Sequence, residues 1–66
     1  MQIKINGKEE EINEGFSIGD LLRGRDLDFD SVVVEHNMAI IDKADYDNIQ
    51  LKDKEVLEVL RFVGGG

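Results

Sequence analysis

The stretch best equipped for chemistry is Leu60-Arg61-Phe62-Val63-Gly64-Gly65-Gly66, an apolar run that passes into three glycines and a terminal carboxylate. Lacking Cβ atoms, the glycines are narrow and conformationally broad, so such a tether can thread a tight channel and deliver its carboxylate to a reactive phosphate elsewhere. Glycine is also common in frayed, disordered chain ends, so the glycines alone favour a plain terminus over a chemical handle, and the rest of the chain must decide. The other candidates are poorer. Histidine serves as a general acid or base near neutral pH, but His36 belongs to no motif with a nucleophile or an orienting carboxylate. In a turn it is expected to face solvent. Asp26-Leu27-Asp28-Phe29-Asp30 has the spacing of a calcium loop without its glycine or its terminal bidentate glutamate, and Leu27 and Phe29 are better read as core anchors. Glu9, Glu10 and Glu11 alternate between the faces of a strand and read as a solvated edge. Tyr46 reads as a loop anchor. No catalytic residue and no metal site is expected.

Length and composition bound what can surround the tail. A chain of 66 residues is one small domain, in which folding buries only about 60% of the unfolded surface. With no cysteine, there is neither a disulfide to support the core nor a thiolate to act as ligand or nucleophile. The formal charge of -7, from 15 acidic and 8 basic residues, repels nucleic acid and anionic membranes and favours basic partners. No apolar run approaches the roughly 20 residues of a membrane span, and Met1-Gln2-Ile3-Lys4 lacks the pattern of a secretory signal. A soluble cytoplasmic protein is expected.

The elements that must position the tail follow from periodicity. Gln2-Ile3-Lys4-Ile5 alternates with period two, and Asn6-Gly7 predicts a hairpin into the charged return Lys8-Glu9-Glu10-Glu11-Ile12. Phe16-Ser17-Ile18-Gly19-Asp20 opens a short helix, with Ser17 as N-cap, Asp20 three residues on, and Ile18, Leu21 and Leu22 as its apolar stripe. Gly24 offers the stop. Gly19 weakens the helix, so packing must hold it. Val32-Val33-Val34-Glu35 predicts a central strand, His36-Asn37 a turn, and Met38-Ala39-Ile40-Ile41 a second short strand. Ile49 and Leu51 return to the core, and residues 55–63 form the last strand. Its alternation puts Leu57, Val59 and Val63 on one face and Val56, Glu58, Leu60 and Phe62 on the other. Glu58 marks the second face as outward, which leaves Leu60 and Phe62 as an exposed apolar patch fit for docking.

One helix, a hairpin and further strands do not alternate as an open βαβ array, so the expected fold is α+β, a mixed four- to five-stranded sheet packed on one main helix. The order of elements, Leu51 with Asp53 before a Val-rich last strand, Val34-Glu35-His36-Asn37, Glu58-Val59-Leu60 and the Gly65-Gly66 end together resemble the ubiquitin-like β-grasp sulfur carriers, most closely the ThiS-type carriers of thiamine biosynthesis. The likeness covers essentially the whole chain, with residues 1–63 as the β-grasp domain and 64–66 as a flexible glycine tail. Lys54 departs from the glycine of many relatives and puts that turn's geometry in question. Gly65 and Gly66 match the functional pair, with Gly64 as a spacer.

The resemblance implies a carrier that performs no chemistry alone and holds no cofactor. A ThiF-like adenylating enzyme would use ATP to activate the Gly66 carboxylate, and sulfur from a donor such as a cysteine desulfurase would leave a thiocarboxylate there. A thiazole synthase would accept that sulfur. The absence of cysteine agrees, since sulfur carried covalently must then sit on a group other than a thiol of the chain. Two alternatives stay open: a sulfur carrier for molybdopterin synthesis, which shares fold and di-glycine end, and a noncatalytic ubiquitin-like interaction module. An enzyme is the weakest reading, because Ser17 is used as a cap, Ser31 and His36 form no motif, and little room is left for a cleft.

Overall fold

The structure, a computed structural model, describes residues 1–62. Strand β1 (Gln2–Ile5) turns Ile3 and Ile5 into the core. Asn6 and Gly7 both take positive φ, 51° and 84°, the turn whose twist matches paired strands. Across it Ile5 faces Lys8, so β2 (Lys8–Glu11) runs antiparallel along β1 and forms one edge of the sheet, mostly in solvent.

Helix α1 (Ile18–Gly24) starts with a reciprocal cap. The Asp20 N–H donates to Ser17 Oγ and the Ser17 N–H donates to Asp20 Oδ2, both at 3.0 Å. Hydrogen bonding to the carboxylate by the Ser17 N–H, foremost, and by the Ser17 hydroxyl holds the Asp20 carboxyl below the usual range. The next two amides are met by a distant loop: Ile18 N–H donates to Ile49 O and Gly19 N–H to Tyr46 O. Seven residues are too few for a helix to persist on propensity, and burial of Ile18, Leu21 and Leu22 holds it. Gly19 does more than weaken α1. A Cβ there would overlap the Asp47 carboxylate and lie 3.1 Å from Phe29 Cζ, so its absence lets residues 46–49 close over the helix start.

The helix end corrects the sequence reading. Gly24 is the last residue inside α1, and Asp26 takes the left-handed conformation, φ 56°. Asp26 N–H donates to Arg23 O at 3.1 Å and Leu27 N–H to Leu22 O at 2.9 Å, the bond pair that ends a helix in a Schellman motif. Aspartate tolerates that conformation better than most residues. Asp28 then caps a short 3-10 turn (Phe29–Ser31) by accepting from the Asp30 N–H. Leu27 and Phe29 pack on the core, as the anchor reading requires.

Strand β3 (Val32–His36) leads into β4 (Ala39–Ile41), with His36 facing Ala39. The turn between them is therefore Asn37-Met38, one residue later than His36-Asn37, and Met38 belongs to it and not to the strand. Both turn residues have positive φ, 49° and 75°, although neither is glycine. A second 3-10 turn (Lys43–Asp45) follows. Tyr46 is then buried edge-on against Phe29, ring centroids 5.2 Å apart. Burial pushes its hydroxyl up from the usual pKa, partly offset by the Val34 backbone.

Lys54 keeps the turn before the last strand with φ 71°, the left-handed backbone that glycine would supply. Strand β5 is Val56–Arg61, shorter at both ends than residues 55–63; Val63 lies outside the described residues. It pairs parallel to β1 and antiparallel to β3, giving the order β2-β1-β5-β3-β4. The result is a mixed five-stranded sheet on one helix, the ubiquitin-like β-grasp arrangement. Ile3, Ile18, Leu22, Val34 and Leu57 are its most deeply buried side chains, each contributing roughly 1.5–3 kcal/mol by leaving water.

Candidate functional site

The candidate site is built on β5, whose alternation separates two environments. Leu57 is 0% exposed and Val59 packs against the core, whereas Val56, Leu60 and Phe62 are 38%, 54% and 47% exposed and Glu58 is half-buried. The four residues expected on the outward face thus lie together there.

Neighbouring loops hold the strand along its length. The Asn6 side chain accepts from the Val59 N–H at 2.8 Å and donates to Val59 O at 3.2 Å, continuing the β1–β5 pairing where β1 has turned away. Asn37 does the same at the other end, accepting from Val56 N–H with its side chain and donating to Val56 O from its backbone. Phe62 N–H donates to Ser31 O at 3.1 Å, which pins the base of the tail beside the first 3-10 turn. Gly64, Gly65 and Gly66 lie outside the described residues.

Sheet register extends the outward face beyond the residues found from sequence. Val33 stands opposite Leu60, Glu35 opposite Glu58, and Ile40 opposite Glu35. Ile40 is 71% exposed. Alternation in the valine run separates Val33 and Glu35 from Val32 and Val34, but which β5 residue each would meet depends on long-range register. On the other flank Lys4 stands opposite both Val56 and Glu9.

His36 corrects its expectation. It ends β3 half-buried, with Nε2 3.0 Å from Glu55 Oε1. Burial opposes ionisation of Glu55, but the His36 imidazole, the Lys52 N–H and the Asn37 amide together hold its carboxyl below the usual range. This cluster ties the start of β5 to the β3–β4 turn, and no nucleophile adjoins it.

Two shallow hollows flank β5. One, about 280 Å³, is lined by Gln2, Lys4, Glu9, Lys54 and Val56. The other, about 210 Å³, is lined by Ile5, Asn6, Arg25, Leu27, Val59 and Arg61. Both are smaller than the ~300–1,000 Å³ of ordinary ligand sites. Among the described residues no three His, Asp or Glu side chains converge as metal ligands, and no helix is long and apolar enough to cross a membrane. An apolar, partly acidic sheet face beside the chain's end suits contact with another protein surface better than capture of a small molecule.

Comparison with known proteins agrees along the full chain. The profile of the ThiS family matches residues 2–66. The sulfur carrier protein ThiS of Bacillus subtilis is 38% identical over 65 residues, which make up 97% of this chain and 98% of that protein. A thiazole synthase of Paramagnetospirillum magneticum is 33% identical over 66 residues, and there the chain spans only 20% of the relative's length. The crystal structure of the thiamine biosynthesis protein ThiS from Geobacter metallireducens superposes with a TM-score of 0.84 at 29% identity, covering both chains completely.

Proposed function

The chain belongs to the ThiS family, and from that membership we propose that it is a sulfur carrier of thiamine biosynthesis, acted on by partner enzymes and not itself a catalyst. The observation that carries the reading is its likeness to a sulfur carrier over nearly the whole of both chains.

In this mechanism the Gly66 carboxylate attacks the α-phosphorus of ATP held by a ThiF-like adenylating enzyme. Pyrophosphate leaves and an acyl adenylate forms, which turns a poor electrophile into a mixed anhydride. The terminal sulfur of a persulfide, supplied through a cysteine desulfurase, attacks the carbonyl carbon and expels AMP. Cleavage of the resulting acyl disulfide by a thiol leaves the C-terminal thiocarboxylate. That group then donates its sulfur to a thiazole synthase. Gly64 and Gly65 keep the tether thin, and Val56, Glu58, Leu60 and Phe62 dock the partner that receives it. No resident cofactor is required, since ATP is bound by the partner, and all steps belong in the cytoplasm. A thiazole-synthase partner is supported by relatives in which a segment like this chain makes up about a fifth of a thiazole synthase.

Intact mass tests the reading. The purified chain is incubated with the adenylating enzyme, ATP and a sulfur source, beside a variant lacking Gly66. The expected result is a mass gain equal to exchange of one oxygen for sulfur, absent from the variant. An unchanged mass, with the enzyme shown active on another carrier, would sink the carrier reading in favour of an interaction module.

A further inference from the structure

We propose that the edge of β5 left uncovered beyond the end of β1 is a strand-addition site for the adenylating enzyme, whose extended segment pairs with the Arg61 backbone and sets a carboxylate beside Arg25 and Arg61; this rests on the carrier reading above. β1 ends at Ile5, opposite Leu57, whereas β5 runs on to Arg61. Hydrogen bonding along β5 alternates between its two flanks. On the β3 side Asn37 N–H donates to Val56 O and Phe62 N–H to Ser31 O; on the β1 side Lys4 N–H donates to Glu55 O and Asn6 N–H to Leu57 O. Odd-numbered residues therefore turn their backbone groups towards β1. At Val59 the Asn6 side chain supplies both partners. The next residue in that phase is Arg61, which is exposed and whose N–H and C=O find no partner among the described residues.

The surroundings fit a strand and define what it carries. The hollow of about 210 Å³ lies along this edge, with Asn6, Val59 and Arg61 in its wall, so the track that β1 vacates is open space. Ile5, Leu27 and Val59 give it apolar surface. Two of the chain's three arginines, Arg25 and Arg61, line it, and no acid does. Glu10 engages Arg25 from outside the lining. On a chain of charge -7 most of the surface repels an acidic segment, and this spot attracts one. In strand addition the backbone bonds supply affinity and the flanking pockets supply specificity. Position selects the partner. Arg61 adjoins Phe62, and residues 63–66, fully extended, carry the Gly66 carboxylate at most about 14 Å further. Pairing at Arg61 fixes the root of that tether in register with the enzyme, and attack on the α-phosphorus needs such alignment. The enzyme that holds that phosphorus is the adenylating one.

Amide hydrogen exchange of the full chain, free and saturated with the adenylating enzyme of the same organism, reads the pairing directly. In the free chain the Arg61 amide should exchange faster than the paired Leu60 and Phe62 amides, and in the complex it should slow by about tenfold or more. Calorimetry with Arg25→Gln, Arg61→Gln and Arg61→Pro separates charge from backbone. Each glutamine variant is expected to bind about tenfold more weakly. Arg61→Pro should lose about tenfold more than Arg61→Gln, because proline removes the edge N–H. Its melting temperature should match that of Arg61→Gln, since this N–H bonds nothing within the described domain. Unchanged exchange at Arg61 in the saturated complex would overturn strand addition, whether or not Arg61→Pro folds. Native affinity in both glutamine variants would overturn the acidic occupant. Losses seen towards a thiazole synthase and not the adenylating enzyme would overturn the choice of partner. A chain that gains sulfur in the mass test but shows none of these changes sinks this proposal alone; one that gains none sinks the carrier reading beneath it.

Discussion

The two faces of β5 use the same residue types to different ends. On the helix side Leu57 is wholly buried; on the free side Leu60, three residues later in the same strand, is more than half exposed. Nothing in the composition of the strand distinguishes the two leucines, and only the phase of the alternation does. The buried phase carries stability, and the exposed phase leaves apolar surface that the isolated domain does not need. In a chain this small, the exposure of Val56, Leu60, Phe62 and Ile40 supports the docking role proposed for this face.

Truncating each leucine should break the symmetry most sharply. Leu57→Ala is expected to cost about 2–5 kcal/mol, comparable with the few kcal/mol that hold a domain of this size. Circular dichroism should show it largely unfolded at room temperature. Leu60→Ala should change stability by less than about 1 kcal/mol, yet lower kcat/KM for adenylation about tenfold. If both variants unfold alike, the faces do not divide stability from docking.

A smaller effect sharpens the buried side. Glu55 titrates below its ordinary value of 4.5 in the folded chain. Its contribution to stability is therefore fully present above that value and is lost as pH falls through the lower folded value. Urea midpoints measured from about pH 6 down to pH 3 should fall less steeply for Glu55→Gln than for the native chain. An identical acid slope would show that the His36 and Asn37 contacts do not favour the ionised carboxylate.

The smallest expected change concerns the entry to β5. Lys54 holds a left-handed backbone without being glycine, so Lys54→Gly should raise stability by up to about 1 kcal/mol, the relieved strain being partly offset by added chain entropy. A thermal melt measures it. A lower melting temperature would mean that the lysine side chain contributes something the backbone strain conceals.

Locally written features were legible in the sequence. Asn6-Gly7 sets its own turn, Ser17 and Asp20 are close enough along the chain to cap each other, and the alternation of β5 is read from adjacent residues. What was missed depends on distance. The expectation for His36 failed because Glu55 lies 19 residues away in sequence and is brought alongside only by the β3–β5 register. Val33, Glu35 and Ile40 were not placed beside the outward residues of β5 for the same reason. Gly24 looked like a helix stop because glycine usually marks one, while the left-handed role went to Asp26, and the Asn37-Met38 turn reaches positive φ with no glycine to signal it. The carboxylate chemistry assigned to Gly66 rests on sequence likeness, since residues 63–66 lie outside the described part of the chain.

The last strand of the sequence is also the middle strand of the sheet. Pairing β1 with β5 closes a loop of about fifty residues, and long-range closures of this kind come late in folding. During synthesis, β1, β2 and α1 emerge well before the strand that joins them to β3 and β4, so a nascent chain ending before Val56 has no complete core. The residues that finish the fold are those of β5, which carry the exposed Val56 and Leu60 and lead directly into the tail. On the carrier reading proposed above, a chain cut short of β5 would have neither an assembled outward face nor a tail to present, so completion of the chain would precede any encounter with a partner.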